Sequence, residues 1–112
     1  MLYFYRTKVF LKRGKKERAL NDLQKAIKLD PSRFEFHLLY DQILIKENRL
    51  DEIISSWTIY LKLKPDDSRA YLERAGTYYH KLDIQNATLD AKRAMVLGNK
   101  NAELFYNKLK HL

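Results

Sequence analysis

Histidine is the side chain best suited to acid–base and metal chemistry near neutral pH, and the sequence holds three of them, His37, His80 and His111. They are dispersed, and only His37 has a ligand-type residue at helical spacing, Asp41 four positions on. Residues four apart share one face of a helix, so His37 and Asp41 could satisfy each other as a partly buried pair; the other reading has Asp41 tilting into solvent. Two such residues are too few for a metal centre. Ser55 and Ser56 are potential nucleophiles, but no base lies near them in the sequence. The motifs GxxxxGKS/T, GxGxxG, HExxH and GxSxG are all missing, and three glycines supply no material for a phosphate-cradling loop. With no cysteine there is neither a disulfide framework nor a thiolate metal site, which suits a reducing, cytoplasmic setting. The expectation is a non-enzyme without metal or cofactor, whose work is binding.

The elements that would position a binding surface are helices. Apolar residues recur every three or four positions throughout, which predicts amphipathic helices over 2–13, 16–29, 34–47, 50–63, 68–81, 84–97 and 102–111. Gly14 and Asn48 tolerate the left-handed conformation that ends a helix, Asp83 can cap the one after it, and Pro31 and Pro65 cannot continue one. Connections of two to four residues make neighbouring helices antiparallel. Hydrophobic residues at 46% against 32% charged argue for an ordered chain. No window approaches the apolar length of a membrane-spanning helix, and in "MLYFYRTKVFLKR" the charge follows the apolar patch, unlike an export signal.

The net charge of +8 is uneven. Residues 1–33 hold ten Lys/Arg against three Asp/Glu, whereas 34–67 hold four against seven. The basic character is therefore a local patch around "KRGKKER" at 12–18.

An offset of 34 residues relates three units, 1–33, 34–67 and 68–101, with 102–112 left as a closing helix in a single domain spanning 1–112. Aligned columns are Tyr3, His37 and Tyr71; Phe10, Leu44 and Tyr78; Ala19, Ile53 and Ala87; Leu23, Trp57 and Ala91. Ala26, Tyr60 and Ala94 follow, then Leu29, Leu63 and Leu97, then Pro31, Pro65 and Asn99. Trp57, on a column with Leu23 and Ala91, is expected in the core. The closing helix "AELFYNKLKHL" is expected to cover the last pair through Leu104, Phe105, Leu109 and Leu112, as a terminal cap does in repeat arrays. The first residues enter a helix with no capping residue ahead of Leu2, as either a short natural start or a piece of a longer array would.

The stretches "GKKERALNDLQKAIKLDP", "NRLDEIISSWTIYLKLKP" and "RAGTYYHKLDIQNATLDAKRAMVLGN" resemble tetratricopeptide repeats across essentially the whole chain. Departures are Asn99 in place of the proline, and Thr7 and Asp41 where that family has a small residue. The resemblance implies an all-α solenoid, a right-handed superhelix of antiparallel helix pairs, with a concave face built from the first helix of each pair. On that geometry the groove columns are Phe4, Leu38 and Leu72; Lys8, Gln42 and Gly76; Leu11, Ile45 and Tyr79; Lys12, Lys46 and His80. Two apolar columns beside a basic edge fit a partner's peptide segment with apolar and acidic residues, with Gly76 leaving a dip beside Tyr79.

The two-carboxylate clamp with which some relatives hold chaperone tails would fall on Phe4, Lys8, Leu39, Arg69 and Glu73. Only Arg69 keeps a suitable donor and Glu73 would repel a carboxylate, so no such clamp is expected. Arg69 remains a partner-contact candidate. A second reading takes the patch at 12–18, with Arg6, Lys8, Lys25 and Lys28, as an RNA- or acidic-surface-binding face, though stacking aromatics are not interleaved with it. A third, implied by the resemblance alone, is a chaperone for secreted proteins.

Overall fold

Seven α-helices account for almost all of residues 1–112, which the computed structural model describes throughout: α1 (Leu2–Lys12), α2 (Lys16–Leu29), α3 (Phe34–Leu44), α4 (Leu50–Leu63), α5 (Ser68–His80), α6 (Ile84–Val96) and α7 (Lys100–Lys110). There are no strands, and no helix is long and apolar enough to cross a membrane. Two boundaries differ from the sequence expectation by more than one residue. The third helix tightens into a 3-10 turn over Ile45–Glu47 before Asn48 turns left-handed at φ 57°. The last helix starts two residues early because the Asn99 side chain accepts a hydrogen bond from the Ala102 amide and caps it.

The turn inside each helix pair puts one residue in the left-handed region: Gly14 at φ 71°, Asn48 at 57° and Leu82 at 65°, each 34 positions after the last. Glycine and asparagine accept that conformation readily, while a leucine there is strained. Asp83 then caps α6 as expected, its carboxylate accepting from the Asn86 amide.

Each helix packs chiefly on its neighbours in sequence, so the array extends to 43 × 26 × 19 Å. The result is an all-α solenoid of paired antiparallel helices. The core is not uniform along it. A cluster of fourteen buried residues spans the first two pairs and reaches Ala70 at the start of α5, with Leu23, Phe36, Leu44, Ile53 and Trp57 fully shielded. The third pair closes with a smaller cluster of Ala75, Ala87, Ala91 and Leu109. The cap works through Ala102 and Leu109, with Phe105 and Tyr106 packed alongside. Leu104 and Leu112 do not cover the last pair as expected: they are 67% and 75% exposed, because the buried stripe of α7 runs through positions 102, 105, 106 and 109.

Candidate functional site

The expected columns fall on α1, on α3 with the 3-10 turn that closes it, and on α5. Leu11, Leu38, Ile45 and Leu72 are half-buried, the first three packed against the front core. Tyr79 is 42% exposed, with its ring edge against Phe105 of the cap at 5.7 Å. Lys8, Lys12, Gln42, Lys46 and His80 are exposed. Gly76 leaves the predicted dip, since a Cβ there would meet nothing within 4 Å.

Phe4 does not belong to this surface. Its ring lies 4.7 Å from that of Phe36 and is buried in the front core, with the Lys8 ammonium 4.6 Å over its face. A phenylalanine reaches further than the leucines that share its column, and so it crosses into the next pair. Arg69 is also committed elsewhere: Nε and Nη2 donate to Asp67 at 3.0 and 2.8 Å, and the guanidinium stacks 4.0 Å over Phe34. Phe4 is therefore closed to a partner, whereas the Arg69 side chain, though tied to Asp67, stays 61% exposed.

His37 and Asp41 do not pair with each other. His37 is fully buried, with Nδ1 2.6 Å from the Ser56 hydroxyl and Nε2 2.7 Å from the Pro31 carbonyl. A carbonyl only accepts, so Nε2 carries the proton and Ser56 donates to Nδ1. Asp41 is only 9% exposed and does not tilt into solvent; its Oδ2 accepts from the Trp57 indole at 2.8 Å. The base missing beside Ser56 in the sequence is therefore supplied across the helix pair. It does not make a nucleophile: Ser56 is 6% exposed and sits mid-helix, where the backbone amides are engaged in the helix and cannot form an oxyanion hole. Trp57 and Tyr60 pack against the imidazole, and burial lowers the His37 pKa.

α5 carries a carboxylate without an ion-pair partner. Glu73, one residue after Leu72, is half-buried, and its pKa is raised by burial and then by the charge of Asp41. Burial likewise raises Asp41, partly offset by the Trp57 hydrogen bond and the nearby His80. At the other end of the array the groove edge is basic. Its floor between α3 and α5 is thus acidic while its α1–α3 rim carries Lys8, Lys12 and Lys46.

No family model matches the sequence, and no curated protein sequence matches it. Solved structures do. The N-terminal domain of stress-induced protein-1 from C. elegans superposes with a TM-score of 0.82 at 15% identity, covering 97% of this chain and 92% of that one. The first TPR of Spaghetti (RPAP3) bound to the HSP90 peptide SRMEEVD gives 0.78 at 17% identity, over 98% and 89%. The Yersinia enterocolitica type III secretion translocator chaperone SycD gives 0.77 at 18%, over 97% and 81%. The chain has the tetratricopeptide-repeat fold.

Within that fold, sequence reading missed a recurring ion pair. Arg6 bonds Asp22 through Nε at 2.5 Å and Nη2 at 2.8 Å, and 68 residues later Arg74 bonds Asp90 at 2.6 and 2.8 Å. The middle repeat has Tyr40 and Ser56 at those places. Without a guanidinium there, a largely apolar cavity of about 500 Å³ opens between α2 and α4, lined among others by Ile27, Tyr40, Ser55, Ser56 and Ile59. It lies among the second helices and shares no residue with the groove. The 34-residue alignment held the signal for it, in the loss of the Arg–Asp pair from one unit of three.

Proposed function

We propose that the chain is a protein-interaction module that holds a peptide segment of a partner in the groove formed by α1, α3 and α5. The observation that supports this most is the row Leu11, Leu38, Ile45, Leu72 and Tyr79: apolar side chains, half-buried or exposed, left open beside three exposed lysines. Apolar surface collected in a groove gains free energy when a partner covers it, and the lysine edge adds attraction for acidic residues of the same partner. The Spaghetti repeat domain of the same fold holds a peptide, which supports the same kind of use here.

The ligand we propose is not a chaperone tail held by two carboxylates. The clamp positions carry a buried Phe4, a Lys8 over its ring, a half-buried Leu39, an Arg69 engaged by Asp67, and Glu73. Catalysis forms no part of the proposal, since His37 is fully buried and Ser56 sits mid-helix, where no free backbone amide can form an oxyanion hole.

Selection of a displayed random-peptide library on the purified chain, with Leu38→Glu and Lys46→Glu variants beside it, tests the proposal. Peptides with apolar and acidic residues should be enriched and lost in both variants while circular dichroism shows helicity retained. Enrichment indifferent to both substitutions would place the working surface elsewhere.

A further inference from the structure

Glu73 sits on the groove floor with Leu72 beside it and the open space of Gly76 three residues on. It is half-buried, its carboxylate takes part in no hydrogen bond or ion pair, and burial and then the charge of Asp41 raise its pKa. Of the basic groups of α5, Arg69 is engaged by Asp67 and Arg74 by Asp90, while the exposed His80 at the end of the helix acts on Asp41 and not on Glu73. Asp41 is nine-tenths buried; its Oδ2 accepts from the Trp57 indole, and the charge of His80 also favours its ionised form. A desolvated carboxylate with no counter-charge is costly, and a second one nearby raises the cost. The dip at Gly76 leaves room for a side chain to approach Glu73 from the groove.

Resting on the peptide-binding reading above, we propose that the bound segment carries a lysine or arginine whose cation enters beside Gly76 and pairs with Glu73, between apolar contacts to Leu72 and Tyr79. The partner is thus a segment of mixed charge. Its acidic residues lie along Lys8, Lys12 and Lys46, and its cation lies on the floor between α3 and α5. This arrangement disfavours a uniformly acidic tail, which would set a carboxylate against Glu73. It also gives the groove a direction, because the two ends attract opposite charges.

The test uses the full chain and the peptides enriched from the displayed library. Fluorescence anisotropy compares the enriched peptide, and the same peptide with its cation replaced by alanine or by glutamate, on the wild-type chain and on Glu73→Gln and Glu73→Lys. The enriched peptides should share a lysine or arginine, and Glu73→Gln should weaken binding about tenfold, the size of losing one charge-assisted hydrogen-bonded contact. Glu73→Lys should weaken it further and be rescued by the glutamate peptide. Groove-dependent peptides, lost in Leu38→Glu, that lack a common cation or ignore Glu73→Gln would overturn this inference and leave the groove reading intact. No enrichment, or enrichment indifferent to Leu38→Glu, would overturn both.

Discussion

The first two helix pairs and the third build the same fold by different means. The front buries Phe4, Phe36, Trp57 and Tyr60, large rings that meet at 4.7–5.9 Å, yet its helices begin at Met1, Lys15, Arg33 and Arg49 with no side-chain cap. The rear buries mainly alanines, which bring little apolar area. There α5, α6 and α7 are each capped, by Asp67, Asp83 and Asn99, and a shielded Arg74–Asp90 pair ties α5 to α6. Side-chain volume holds the front together, and close helix approach with local hydrogen bonds holds the rear. The groove crosses the boundary between the two regimes, where Asp41 and Glu73 meet.

Substitutions can break this contrast. Trp57→Ala removes the largest buried side chain and strands the Asp41 carboxylate, so urea denaturation should show a loss of about 3–5 kcal/mol. Arg74→Ala should cost about 3 kcal/mol, since it leaves Asp90 buried without its partner. Arg6→Ala removes the equivalent pair, but the Arg6 side chain is 48% exposed against 18% for Arg74, so its removal opens the Asp22 carboxylate to water and should cost distinctly less. Equal losses in the two variants would dissolve the distinction between front and rear.

Leu82→Gly should raise stability by about 1 kcal/mol by relieving the left-handed leucine, an effect the glycine already at position 14 has no room to show. The pH dependence sharpens the front further. Burial holds the His37 pKa below its unfolded value of about 6.5, so the unfolded chain takes up the proton first. The front should therefore lose stability as pH falls from about 6.5 toward the folded pKa. Asp41 and Glu73, both raised, act with the opposite sign, favouring the folded state as pH falls through their folded values toward the ordinary carboxylate range. Urea midpoints at pH 7.5 and 5.5 should separate for the wild type and come together in His37→Gln. The smallest effect is expected from Glu73→Gln, a slight gain in midpoint at neutral pH from removing an unpaired carboxylate.

Period and apolar spacing made the helices, their order and the groove columns legible, because each depends on residues three, four or 34 apart. What stayed hidden depends on how neighbouring helices cross. His37 with Ser56 and Asp41 with Trp57 are 19 and 16 residues apart, and only the docking of α3 on α4 decides which hydroxyl or indole meets which partner. Phe4 was misplaced because a column fixes direction but not reach. Leu104 and Leu112 were misplaced because only two or three turns of α7 are in contact, and the stripe that wins is the one carrying Ala102 and Leu109.

The central claim is that the groove of α1, α3 and α5 is the working surface. Amide chemical-shift mapping of the isotopically labelled chain, titrated with a library-enriched peptide, tests it most directly. The largest shifts should fall at Leu11, Leu38, Ile45, Leu72 and Tyr79. Shifts concentrated instead at Ile27, Ser55 and Ile59, around the cavity between α2 and α4, would contradict it.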